Sequence, residues 1–75
     1  VYFDFEVGKG LPNHTHNGYA SIFIYEGSVS IEFVDGEKYN LNKGDLIQFD
    51  ARIEHNVIAK VKSRVLVTIS ERLTE

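Results

Sequence analysis

Cysteine is absent from all 75 residues, which excludes disulfides and thiolate metal ligands. No apolar run in the sequence approaches the roughly 20 residues of a membrane span, and no charged-then-apolar leader is visible. The expectation is a soluble cytoplasmic protein with no membrane partner. Positive charge is scarce too: the net charge is −3, whereas nucleic-acid surfaces are normally basic. Lys60, Lys62 and Arg64 form the only basic stretch, and it reads as a solvated turn rather than a phosphate-binding patch. No nucleic-acid partner is expected. With no linker, low-complexity tract or charge block, residues 1–75 read as one domain. A chain of this size buries only about 60% of its unfolded surface, and small scaffolds often lean on a metal or on oligomerisation.

A helical apolar period is missing as well. Short strands separated by turns recur instead. Val1, Phe3, Phe5 and Val7 alternate with polar residues as a half-buried strand does. The stretch Gly8-Lys9-Gly10-Leu11-Pro12-Asn13 reads as a loop. Ala20 to Tyr25 is a continuous apolar-aromatic run, too short for a helix and rich in strand formers. Glu26-Gly27 turns it, and Val29, Ile31 and Phe33 alternate beyond. Asp35-Gly36 signals a hairpin into Lys38–Leu41, and Asn42-Lys43-Gly44-Asp45 is a second turn. Leu46–Phe49, Asn56–Val61 and Val65–Ser70 complete the set, with Asp50–Glu54 as a loop and Lys62-Ser63 as a break. About eight short strands and no helix indicate an all-β antiparallel sandwich or barrel. This pattern alone fits an SH3-like barrel, an OB-fold or a jelly roll equally.

Histidine is rare, and its placement is the most informative feature present. The chain has three: His14 and His16, flanking Thr15, and His55, 39 positions after His16. On an extended backbone, residues i and i+2 point to the same face. A third imidazole arriving from a later strand would complete a transition-metal site with open coordination positions.

From Gly8 to Ala59 the chain resembles the cupin family. Its first motif is a glycine, five residues, His-x-His, three or four residues, a glutamate, six residues and a glycine; here Gly8, His14, His16 and Gly27 stand in place, while the glutamate position falls on Ala20 or Ser21. The second motif is a glycine, five residues, Pro-x-Gly, two residues, a histidine, three residues and an asparagine; Gly44 and His55 match, whereas Asp50, Arg52 and Ala59 replace the proline, glycine and asparagine. The resemblance implies a double-stranded β-helix, a jelly-roll barrel of about eight short antiparallel strands. It also implies that the two motifs lie on neighbouring strands, with His14, His16 and His55 as metal ligands in the barrel mouth. The family's fourth ligand, the only anionic one, is missing.

Three neutral imidazoles leave a divalent ion uncompensated, and therefore a strong Lewis acid with water or substrate in its remaining positions. Imidazole suits zinc, iron, nickel and copper alike, and manganese stays in the set of candidate metals. Unbroken alternation puts Ala20 and Ile22 on the inward face with the histidines, a small apolar pocket floor, unless Gly18 hosts a bulge. Gln48 is read as lining the pocket or as an outward edge residue. No general base other than histidine and no activated nucleophile is visible, which counts against a serine or cysteine hydrolase. The expected function is a metal-binding cupin that takes a small organic ligand, with turnover by dioxygenase- or isomerase-type chemistry left open. The competing readings are a non-catalytic sensor resembling the ligand-binding half of AraC-type regulators, and a structural barrel with vestigial histidines. Tyr19, Phe23 and Tyr25 lie opposite Ile22 and Ile24 on a strand apolar on both faces, so a homodimer is expected.

Overall fold

Alternation and turn chemistry carry through to the structure, a computed structural model that describes residues 1–70. Among the described residues there are eight strands and no helix: β1 (Tyr2–Phe5), β2 (Gly10–His14), β3 (Tyr19–Glu26), β4 (Ser28–Phe33), β5 (Lys38–Asn42), β6 (Leu46–Asp50), β7 (His55–Ala59) and β8 (Ser63–Ser70). They form two four-stranded antiparallel sheets, ordered β1-β8-β3-β6 and β2-β7-β4-β5. Apart from the β4-β5 hairpin, neighbours in a sheet are not consecutive in the chain, which is the double-stranded β-helix.

The inner faces are what the apolar pattern selects. Ile22, Ile24, Val65 and Val67 from the first sheet pack against Val29, Ile31, Leu41 and Val57 from the second, with Phe5, Phe33 and Ala59 completing the buried core. Val7, expected to share the inward face of the first strand, lies beyond the end of β1 and is exposed, whereas Val1 accepts from the Val67 N–H and keeps the inward side at the open rim of the sandwich, where it too is exposed.

One expected loop is a strand. Within Gly8–Asn13, β2 begins at Gly10, pairing Gly10 with Ile58 and Leu11 with Val57. Glycine makes this approach feasible, since a Cβ at position 10 would run into the Val57 carbonyl. The signal read as turn chemistry was close backbone contact. Similarly, β8 starts at Ser63 rather than Val65, because the buried Ser63 hydroxyl is held by the Val61 carbonyl (2.7 Å).

Candidate metal and ligand site

Cross-strand register builds the site. His14 on β2 pairs with His55 on β7, and His55 pairs with Phe33 on β4, so the three lie in one row across the second sheet. In the first sheet, Ile69, Ala20 and Phe49 form the corresponding row, with Ala20 paired to both neighbours. The rows meet across the sandwich: the Phe49 ring lies 4.8 Å from that of His55 and 5.4 Å from that of Phe33. His55 is therefore walled by two aromatic rings and is 3% exposed.

Its remaining neighbour is His14, whose ring centre is 4.4 Å away. His16 stands 5.1 Å from His14, edge to face. However, His16 lies beyond the end of β2, where its backbone N–H donates to the Ala51 carbonyl (2.9 Å), and it is exposed. The expected shared face of His14 and His16 holds only as a contact between those two rings, because the strand does not continue to residue 16. A ring contact between His16 and His55 is not found among the described residues, nor is any group of three His, Asp or Glu arranged to hold a metal ion as it stands.

Two imidazoles nevertheless leave a ring nitrogen free. The His14 Nδ1 lies 2.6 Å from the Pro12 carbonyl oxygen, and the His55 Nδ1 lies 2.8 Å from that of Ile53. A carbonyl only accepts, so each neutral ring carries its proton on Nδ1 and presents the Nε2 lone pair. Bonds of about 2.0–2.1 Å from two Nε2 atoms to one ion put ring centres roughly 4.5–5 Å apart. The His14–His55 and His14–His16 separations of 4.4 and 5.1 Å lie at that range. The donor set fits a divalent transition ion in type and tautomer; bringing His16 to the pair requires its side chain to turn.

Burial pushes the His55 pKa below its ordinary 6.5, opposed by the Ile53 carbonyl and reinforced by the neighbouring His14 and His16. Neutral imidazole is the metal-ligating form. It follows that metal-free stability depends on pH. The unfolded chain takes up a proton near 6.5 that folded His55 resists. This contribution to stability is fully present above the unfolded value and is lost as pH falls through the lowered folded one. Urea unfolding in chelator between about pH 7 and pH 5 should show that decline, and His55→Gln should remove His55's part of it. An identical slope in parent and variant would contradict the assignment.

Ala20 is inward and 4% exposed, and Ile22 is inward at 2%. No bulge at Gly18 reverses the parity. Ile22, however, belongs to the sealed core rather than to a pocket wall. Gln48 is exposed and pairs with Ser21 on the outward side of the first sheet, away from the histidines. It follows the outward alternative because Ile47 and Phe49 take the inward positions of β6.

Ala20 and Gln48 line an open cleft with Tyr19, Ser21 and Ser70, and the cavity that the histidines reach lies at the seam between the β1 and β2 edges. Its volume is about 260 Å³, and it is lined by Val1, Phe3, Leu11, Pro12, His14, His16, Val67 and Ile69. Among the described residues, the two imidazoles are the only titratable side chains on its wall. Sequence reasoning missed this wall, although the alternation placing Phe3 and Val67 inward was visible. It also missed Phe33 and Phe49 as neighbours of His55, since neither carries a polar signal.

The chain belongs to the cupin family, whose domain description matches residues 1–70. No curated protein matches the sequence. Among solved structures, it is similar to a conserved protein of unknown function from Streptococcus pyogenes, with 25% identity and a TM-score of 0.89 over 97% of this chain. An RmlC-like cupin from Desulfovibrio desulfuricans is 28% identical, with a TM-score of 0.82 over 92% of this chain and 67% of its own. Salicylate 1,2-dioxygenase from Pseudoaminobacter salicylatoxidans shares the fold at 17% identity and a TM-score of 0.79, over 88% of this chain and 18% of its own. The chain spans 63% of the length of the streptococcal protein.

Proposed function

We propose that this cupin domain binds a divalent transition metal through imidazole nitrogens and holds a small, largely apolar organic ligand in the adjoining cavity. The observation that carries this reading is the pair of Nδ1 contacts, His14 to Pro12 and His55 to Ile53, which leave two Nε2 atoms free on rings 4.4 Å apart. His14 and His55 would hold the ion, with His16 as the third ligand. A bound ion supplies Lewis acidity, with no carboxylate ligand to offset its charge. Phe33 and Phe49 keep water from one side of His55, and the apolar cavity beside His14 and His16 orients a ligand by shape.

Zinc titration of chelator-treated protein tests the proposal. One saturable site per chain is expected; the absence of saturable binding would reject the metal assignment. Whether the ligand is turned over depends on proton-transfer groups. Among the described residues, the side chains of the cavity wall offer none besides His14 and His16, which favours a second reading: a binding or sensing module without turnover. Oxygen consumption by the iron-loaded protein with a panel of small diketones and acids separates the two.

The position of Ala20 gives a further prediction. Ala20→Glu restores a carboxylate where cupins carry one, beside Phe49 and within the buried row facing the histidines. Without metal, a carboxyl buried there should cost about 1–3 kcal/mol. With Mn²⁺, which carboxylates suit, affinity should rise. Manganese binding unchanged from the parent would show that position 20 does not reach the ion.

A further inference from the structure

The sandwich has a second opening. At the seam opposite the histidine cavity, the β4–β5 hairpin and the edge strand β6 border a cavity of about 140 Å³. It shares no lining residue with the histidine cavity. Phe33 and Phe49, the two rings beside His55, also line it.

Three aromatic rings form its apolar wall. The Phe33 ring centre lies 6.1 Å from that of Tyr39, inclined at 78°, and 5.4 Å from that of Phe49, inclined at 72°. Tyr39 is on the inward side of β5, paired with buried Ile31 and two residues from buried Leu41, yet it is 42% exposed. Its ring opens onto the cavity instead of packing into the core. The Tyr39 hydroxyl donates to the Glu37 carboxylate (2.9 Å), which fixes the position of that ring.

Carboxylates supply the charge. Asp50 is paired with Arg52 at 2.8 Å. Asp35 accepts from the Glu37 N–H (3.1 Å). Among the described residues, no ion pair neutralises Asp35 or Glu37, and no three His, Asp or Glu are arranged to hold a metal ion. A bare inorganic cation would therefore lose more hydration than this wall replaces. An alkylated cation loses little, and aromatic faces attract it. Rings set nearly at right angles enclose a rounded head better than they stack on a flat guanidinium. A fully alkylated nitrogen also brings no N–H that the rings would leave unpaired. Size agrees, since a cavity of roughly 150 Å³ admits a group as large as benzene.

We propose that this cavity binds a quaternary ammonium head, with Phe33, Tyr39 and Phe49 against its methyl groups and Asp35 and Glu37 balancing its charge. The site is separate from the histidines and does not depend on a bound metal.

Choline titrated into the 75-residue chain in chelator should shift the Tyr39 and Phe49 nuclear magnetic resonances saturably, with a dissociation constant on the order of millimolar. The neutral tert-butyl isostere of choline fills the same space without the charge and should bind about tenfold more weakly. Tyr39→Ala should weaken choline binding about threefold or more, whereas Tyr39→Phe keeps the ring and should retain most of it. Glu37→Gln should weaken it as well. Tyr39 and Glu37 are both exposed, so these variants should fold. A peptide carrying trimethyllysine presents the same head on a chain: binding tighter than choline assigns the head to a protein partner, and weaker binding assigns it to a free solute. The absence of a saturable shift, an isostere that binds as well as choline, methylammonium or guanidinium that binds more tightly, or undiminished affinity in Tyr39→Ala would each overturn the proposal.

Discussion

Gly27→Ala should destabilise the domain by about 3 kcal/mol or more, a large fraction of what a small domain has to lose. Two effects add. Gly27 has φ +88, in the left-handed region where an L side chain strains the backbone. A Cβ there would also meet the Ser63 hydroxyl, the Lys62 carbonyl at 2.5 Å and the Ser63 Cα at 2.9 Å. None of these groups yields easily. Ser63 is fully buried at the start of β8, its hydroxyl accepting from the Ser28 N–H (3.1 Å) and donating to the Val61 carbonyl (2.7 Å). Moving it breaks the contact that ties the β3–β4 turn to β8. Gly36 provides the control. Its φ is +99, but open space surrounds its missing Cβ, so Gly36→Ala should cost only the backbone strain, about 1–2 kcal/mol. Urea unfolding of both variants measures the difference. Equal losses would show that the Ser63 contact contributes nothing.

Gly27 also illustrates which parts of the fold were readable. Glu26-Gly27 and Asp35-Gly36 were identified as turns from residue type, and both glycines have positive φ. Alternation identified Val29, Ile31 and Phe33 as inward and sorted Ile22 and Ile24 from Phe23 and Tyr25. These signals are local: a period of two and a residue that tolerates left-handed backbone. The pairing order β1-β8-β3-β6 has no local signal; the family resemblance implied only a jelly-roll barrel with the two motifs on neighbouring strands. Gly10 was misread because a glycine needed for close approach to Val57 resembles one needed for a turn.

Within the site, the His14 and His55 rings meet as the family resemblance implied, while His16 does not join His55 by strand geometry. The His-x-His argument assumes extended backbone through both residues, and β2 ends at His14. The next turn of chain is fixed elsewhere, by the His16 N–H to Ala51 and the Ala51 N–H to Gly18. Those are tertiary bonds to the Asp50–Glu54 segment, where this chain departs from the usual Pro-x-Gly. Similarly, nothing in Phe33 or Phe49 alone announces that they would enclose an imidazole. Their role appears only once β4, β6 and β7 are placed together.

Loss of the His55 imidazole should reduce metal affinity more than any other single substitution, by at least about 100-fold. Removing a group that merely orients a ligand costs up to that much, and on the proposed function His55 would be both ligand and the buried end of the pair. Its ring is fixed on three sides, by Phe33, by Phe49 and through Nδ1 to the Ile53 carbonyl, so its Nε2 is the least mobile donor at the site. His14→Ala should follow closely. His16→Ala should cost less, because that side chain is exposed and must be ordered before it can bind. His55→Ala alone leaves a void between two aromatic rings, so His55→Gln, which keeps most of the volume and is a poor ligand, separates binding from folding. In chelator, His55→Gln should unfold as cooperatively as the parent. With excess zinc, the parent's midpoint should rise by mass action and the variant's should not. Equal metal content across His14→Ala, His16→Ala and His55→Gln by elemental analysis would place the ion elsewhere. A graded series, lowest for His55 and highest for His16, is the signature of a site built from one rigid pair and one recruited arm.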